Sequence, residues 1–479
     1  MFFSVKDSGF MKTVLLLVSL SSMVATSQAD LIEIGSNDML VSQVAGTVDD
    51  PNIDADDPAL AHNPNNDTFL AVWAENSDPA GFEIFARLLR ADGMPLGNQV
   101  VISDIPVNDN LTAFEPKVAF NSIRNEFLVV WFGNDFEIYA RRVSPNLTLL
   151  GPELPISDIN QLPSRGARSP AVAFNDLNDE YLVVWYADDP AAGLADDEFE
   201  IFGQRLNGDG SEIGDNDFRI SDVAGTGDAD RMASQVDVAF NSANAEYLVV
   251  WVADDNLAGQ VDQEFEIFGQ ILDSVGTEVG NNDFRVSFMG GTGLIEYDAQ
   301  MPAVAPNTIN GDWMVVWYGD DNNQGLIDEE FEIHGRLLTA GGQDLTDFRV
   351  STMGGTGNGD YQAFRPDVVH NPVTREYAVS WQGDAITYQG GGPTSDEYEI
   401  WVHRVTESGE PLLRSSVVSD MGDDGSQFDA RTSALAVDAR GEILVLWNGT
   451  DDVNGGAIGE FGVHAQKLAE VPIFADGLE

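Results

Sequence analysis

Cysteine is absent from the 479 residues, so no disulfide holds the chain together and thiol chemistry is excluded. Basic residues are scarce: 23 Lys and Arg stand against 80 Asp and Glu, a formal net charge of −57. A surface of that sign repels nucleic acid and anionic lipid and attracts cations, so no nucleic-acid partner is expected. The five histidines, His62, His334, His370, His403 and His464, are dispersed along the chain, which argues against a zinc cluster. Without Cys and without a Ser/His/Asp grouping, nucleophilic hydrolysis has no residues behind it. Long apolar runs are missing too. The one candidate, Val14 to Ala25, follows Lys12 and precedes the small-x-small pattern Ser27-Gln28-Ala29. It is too short to span a bilayer, so residues 1–29 read as a secretory signal, the protein is expected to be secreted (extracellular or periplasmic), and no membrane span is expected.

What is present is a repeat. Glu180-Tyr-Leu-Val-Val-Trp185 has six counterparts, ending at Trp73, Trp131, Trp251, Trp317, Trp381 and Trp447. In the third unit, Pro170 to Asn175 precedes this stretch, and Glu198 to Arg205 and Asp217 to Ser221 follow it. These are runs of five to eight residues rich in Val, Ile, Phe, Tyr and Trp, bounded by Asn, Asp and Gly, which marks four β-strands per unit. Both faces of Tyr181 to Trp185 are apolar, so both sides of each sheet must be covered. Radially stacked sheets do that. Seven four-stranded units with tryptophans 54 to 66 residues apart predict an all-β, seven-bladed β-propeller over residues 30–468, followed by a tail at 469–479.

The ends of the chain predict how the ring closes. The last unit supplies three strands, around Leu435, Leu444 to Trp447, and Phe461 to Lys467, and lacks a fourth. Asp38-Met-Leu-Val-Ser42 matches a fourth strand without a preceding three, so it is expected to complete the last blade. Two rings of small residues support the register. Alanine begins each inner strand at 55, 113, 167, 233, 299, 363 and 430, and serine ends each outer strand at 42, 103, 157, 221, 287, 351 and 419. Asn63, Asn121, Asn175, Asn241, Asn307, Asn371 and Asp438 mark the turns between strands one and two.

Strand parity puts the 2–3 connections and the crossings between blades on one face. Three connections there, Ala187 to Glu198, Ala253 to Glu264 and Gly319 to Glu330, carry 14 acidic residues and no Lys or Arg. Hard cations take six to eight oxygens, so Ca²⁺ is expected at Asp188, Asp189, Asp196 and Glu198, at Asp254, Asp255, Asp262 and Glu264, and at Asp320, Asp321, Asp328 and Glu330. No EF-hand loop is present, and Gly354 to Asp360 only approximates a calcium nonapeptide. The recurrent Glu83, Glu137, Glu200, Glu266, Glu332 and Glu399 on strand three could pair with Arg219, Arg285 and Arg349 on strand four, while blades one and two lack that Arg.

The Val-Val-Trp stretch, Glu200-Ile-Phe-Gly-Gln-Arg205 and Phe218-Arg-Ile-Ser221 together resemble the repeat of secreted and surface-bound bacterial propeller proteins, some of which carry calcium-binding regions. The resemblance covers roughly residues 31–468 and implies the propeller fold. From the acidic connections, the chain is expected to be a monomeric ring acting as a binding or interaction scaffold, with a protein or polysaccharide ligand on its acidic face. An enzymatic alternative is a glycoside hydrolase or lyase at the mouth of the central channel, using Asp54, Asp298 and Asp429. These precede the inner-strand alanine, with Arg168, Arg365 and Arg431 close by, and could act as a carboxylate pair. Their bland role is loop capping.

Overall fold

The computed structural model describes residues 30–43, 54–76, 81–104, 112–133, 135–159, 166–189, 192–223, 227, 231–254, 261–291, 293–322, 326–384, 398–412, 414–419, 421, 429–450 and 461–470. The expected secretory signal at residues 1–29 and tail residues 471–479 lie outside them. Seven four-stranded antiparallel sheets, with no helix among the described residues, form a ring of blades. Blade three is representative: strands Arg168–Asn175, Glu180–Ala187, Glu200–Asn207 and Glu212–Arg219 pair in chain order from the axis outward. The inner strands of successive blades touch, and Ala55–Asn63 of blade one meets Ala430–Val437 of blade seven.

Blade seven is completed by the N-terminal strand Leu31–Leu40, which pairs with Gly462–Glu470. Beyond that strand, Val41 N donates to Val463 O at 2.7 Å, and Val463 N donates to Ser42 Oγ at 3.0 Å. Met39 and Val41 are buried in the seam between blades seven and one. The closure expected from the sequence is therefore the observed one.

The middle strands build the core because they are apolar on both faces. All seven repeat tryptophans are buried between adjacent blades. Each hydrophobic cluster spans two neighbouring sheets, as where Trp251 and Val249 of blade four meet Leu182 and Val184 of blade three. Burying such an aliphatic side chain contributes about 1.5–3 kcal/mol, so the blades stick to one another through the same strands that define the repeat. His334 and His464 stand in for strand-three aromatics and stack on Trp317 and Trp447 at 6.2 and 6.1 Å. Burial pushes the His334 imidazole down to about 4, so it packs as a neutral ring.

The inter-strand asparagines do two jobs. Asn121 Oδ1 accepts from Ile123 N and Arg124 N, while its amide donates to Asp179 of the next blade at 2.9 Å. Asn371 does the same, reaching Gly441 O of blade seven at 2.8 Å. Asp438 caps its own turn through Arg440 N and Glu442 N but cannot donate onward. It instead accepts from Lys467 Nζ at 2.9 Å, with both side chains fully buried. The ammonium also lies 4.7 Å from the centre of the Phe69 ring in blade one.

Candidate functional site

The face formed by the 2–3 connections is organised by carboxylates that hold backbone. Glu200 accepts Val223 N at 3.0 Å and the hydroxyl of Ser221, whose oxygen in turn accepts Ile201 N at 2.7 Å. The same Glu–Ser pair recurs with Glu137 and Ser157, Glu266 and Ser287, Glu332 and Ser351, and Glu399 and Ser419. This staple fixes the exit of strand four against the start of strand three. Expected pairing with arginine is secondary: Arg285 reaches Glu266, whereas Arg219 stands 4.0 Å from Glu200. Burial pushes Glu137, Glu266 and Glu332 up to about 7 and Glu200 to about 8.

The acidic connections follow one plan. Asp188, Asp254 and Asp320 accept the N–H of the residue nine positions on, Asp197, Gln263 and Glu329. Those three residues turn the chain at φ of 70°, 66° and 63°, a left-handed conformation that a capping acceptor helps to hold. Glu198, Glu264 and Glu330 then accept Ala195 N, Val261 N and Ile327 N, and also Gly227 N, Gly293 N and Gly357 N from the following crossing. Asp189 and Asp321 are buried beside them, whereas Asp196, Asp262 and Asp328 are exposed on the rim. Asp255 lies outside the described residues. Among the described residues no three His, Asp or Glu side chains come together as a group that could hold a metal ion. One oxygen stands apart: Glu330 Oε1 is buried with no hydrogen-bond partner.

Around the axis, each inner strand carries a β-bulge just after its alanine. The bulged residues are Asp57, Glu115, Ser169, Gln235, Met301, Arg365 and Thr432, with φ between 39° and 52°. None is glycine or asparagine, the residues that adopt this conformation most cheaply, so each carries strain on the order of 1–3 kcal/mol. Deeper in the channel, charged side chains alternate with alanine: Lys117, Asp237 and Asp367 come from even blades, Ala59, Ala171, Ala303 and Ala434 from odd ones. Asp237 and Asp367 accept Val304 N and Leu435 N of the next blade at 2.9 and 2.7 Å.

A collar of aromatics surrounds the mouth. The residue before the strand-three glutamate position is Phe82, Phe136, Phe199, Phe265, Phe331, Tyr398 or Phe461, aromatic in all seven blades and half-buried in each. The backbone of the collar joins the blades: Ala55 N, Ala233 N and Ala299 N donate to the carbonyls of Phe461, Phe199 and Phe265 in the preceding blade. Asp54, Asp298 and Asp429 serve the same seam, since each has an oxygen 3.4 to 3.5 Å from the N–H of the preceding blade's collar aromatic, Phe461, Phe265 and Tyr398. Burial raises Asp54, and Asp298 to about 6. The collar was legible in the sequence as an aromatic preceding each strand-three position. Strand patterning alone passes over it, because one aromatic at or just before the start of a strand has no periodicity of its own.

The collar opens at blades six, seven and one into a cavity of about 420 Å³. Phe82, Phe364, Tyr398 and Phe461 form its aromatic walls, and Asp54, Asp56, Arg365, Gln382, Arg431 and Asn448 its polar ones. Asn448 donates to Asp56 Oδ1 at 2.9 Å. Arg431 pairs with Asp429 at 2.8 Å and lies over the Phe461 ring at 5.0 Å. The expected channel-mouth residues are thus divided: Asp54, Arg365 and Arg431 share this cavity, Asp429 is tied in through Arg431, and Asp298 and Arg168 belong to other blades.

No protein-family model matches the chain, and no curated protein matches it. Among solved structures, it is similar to a Dyadobacter fermentans protein of unknown function at 10% identity, covering 92% of this chain and 99% of that one with a TM-score of 0.49. It is also similar to a Penicillium chrysogenum α-L-arabinanase at 12% identity, covering 91% and 98% with a TM-score of 0.42. A third likeness is to the NanB sialidase of Streptococcus pneumoniae at 9% identity, covering 92% and 71% with a TM-score of 0.43. At such identities these are likenesses of fold, and the propeller assignment itself rests on the sheet order of this chain.

Proposed function

We propose that the protein is an exported binding scaffold that takes a glycan at the mouth of its central channel. The observation that carries this reading is the collar cavity, where half-buried aromatic rings alternate with planar polar side chains. Pockets of this size with a few convergent polar groups suit small or segmental ligands, and flat aromatic rings offer apolar faces to pyranose rings beside groups that meet their hydroxyls. Binding is favoured over hydrolysis because Asp54, Asp298 and Asp429 serve the inter-blade seam, whereas a glycosidase needs two carboxylates addressed to the scissile bond. A glycan array probed with the protein and with Tyr398→Ala tests the reading. Discrete glycan hits weakened at least tenfold by the substitution support it, and an array without hits rejects it. Export rests on the signal-like residues 1–29, and N-terminal sequencing of the exported protein should begin at Asp30.

A second reading, Ca²⁺ in the acidic connections, is favoured by the orphaned oxygen of Glu330, because buried carboxylate and carbonyl oxygens are what this ion takes. Calorimetric titration and melting with Ca²⁺ or EDTA decide it. Heat of binding with a higher melting temperature supports the ion. No heat and unchanged melting reject it.

A further inference from the structure

Among the polar residues that line the collar cavity is Arg365. This side chain is exposed and stands on the strained bulge of blade six at φ 52°. One of its five donors is used, Nη1 to Thr432 Oγ1 at 2.9 Å. No carboxylate lies within 4.0 Å of it among the described residues, in a chain where acidic residues outnumber basic ones 80 to 23. The fold does not require arginine here. The other six bulges carry Asp, Glu, Ser, Gln, Met and Thr at the same backbone conformation, so the side chain is free to be chosen for what it meets.

Its neighbours describe the rest of the ligand. Arg431 lies over Phe461 and is paired with Asp429, which leaves Arg365 as the cavity's arginine outside any ion pair among the described residues, its charge acting at longer range on Asp57. Asp56 already accepts from Asn448 and from Asp57 N and keeps lone pairs for hydroxyl donors. A planar guanidinium with free donors binds carboxylate or sulfate in a bidentate manner. We infer that the cavity takes an acidic sugar, with the carboxylate or sulfate on Arg365, hydroxyls toward Asp56 and Gln382, and the ring against Tyr398 or Phe461. This inference rests on the glycan reading above.

The test is an array holding acidic glycans beside their neutral counterparts, uronates with their methyl esters and sulfated sugars with the unsulfated forms. It is probed at 0.15 M salt with the protein and with Arg365→Gln, whose melting temperature is checked against the parent. Polyglutamate is included as an acidic polypeptide. The expected result is binding to acidic glycans at least tenfold tighter than to the matched neutral ones, with that preference abolished in Arg365→Gln. Equal binding to acidic and neutral forms, or an acidic preference that survives in Arg365→Gln, overturns the inference while leaving the glycan reading standing. An array without hits removes both, and capture of polyglutamate as strongly as of acidic glycans overturns the sugar as the ligand class. Uronates and sulfated sugars are told apart by which arm retains the preference.

Discussion

Asp438→Asn isolates the energy of the lock in the closing blade. The substitution keeps the oxygen that caps the turn through Arg440 N and Glu442 N at 2.8 and 3.0 Å, as asparagine does in the other six blades. What it removes is the charge facing Lys467, whose ammonium is fully buried and next meets a carboxylate at Glu442, 3.9 Å away. Burial alone would raise Asp438, yet hydrogen bonds from Lys467 and Arg440 hold it down to about 2. Stranding a buried charge in this way costs about 3–5 kcal/mol. The repeat supplies the rescue: the position of Lys467 is Leu88, Ile271 and Leu337 in blades one, four and five, all buried. Asp438→Asn with Lys467→Leu should therefore return to within about 1 kcal/mol of the parent or exceed it. Urea unfolding of the parent, both single variants and the double variant gives the coupling, or the unfolding rates do if the transition is irreversible. An Asp438→Asn variant within about 1 kcal/mol of the parent would refute the claim that this pair is a desolvated lock.

Three further outcomes are expected. Glu137, Glu200, Glu266 and Glu332 carry pKa values of about 7 to 8 against an ordinary 4.5, so the folded chain holds protons that the unfolded chain has released. Their stabilisation is complete below pH 4.5 and is lost as pH rises through 7 to 8, by up to about 1.4 kcal/mol per pH unit for each group. Melting should therefore fall between pH 5.5 and 8 and fall less in Glu200→Gln, and an equal slope in the two proteins would exclude Glu200 as a source. Ser221→Ala removes the acceptor of Ile201 N and a donor to Glu200 and should cost about 1–3 kcal/mol in urea unfolding, whereas a change below about 0.5 would show the staple is ornamental. Deleting residues 30–42 removes the outer strand of blade seven with Met39 and Val41 and should lower the melting temperature of the whole ring, while unchanged melting would mean the seam closes without it.

The architecture was legible because the features that build it are periodic. Tryptophan, alanine and serine each recur once per blade, and side-chain burial leaves that imprint wherever sheets stack. The N-terminal closure followed from counting strands, and it needed no contact information. The bulges were harder to see, because a left-handed residue that is Asp, Glu, Ser, Gln, Met, Arg or Thr leaves no compositional mark. The available hint was the proline that follows five of them, Pro58, Pro116, Pro170, Pro302 and Pro366. The acidic connections were read from charge alone, and charge does not say whether a carboxylate faces an ion or a backbone amide. Asp188 and Glu198 face amides, a choice set by loop geometry. The grouping of Asp54 with Arg365 and Arg431 was legible from their common place before and after the inner-strand alanine, whereas the aromatic walls that make a cavity of it, Phe82, Phe364, Tyr398 and Phe461, come from different strands and meet only when the ring closes.

That closure also dictates a schedule. Leu31 pairs with Glu470, so the ring's first strand in chain order waits for its last one, and an open arc of blades has to persist until residue 470 has been made. Closing so long a loop in a disordered chain costs about 5 kcal/mol, since the entropy grows only with the logarithm of length. Blades already stacked on one another have met most of that cost before the ends arrive. If the chain crosses a membrane unfolded, its opening strand emerges first and its partner last. The collar and its cavity, which lie across the closing seam, can then exist only on the far side, after Gly462–Glu470 has passed through.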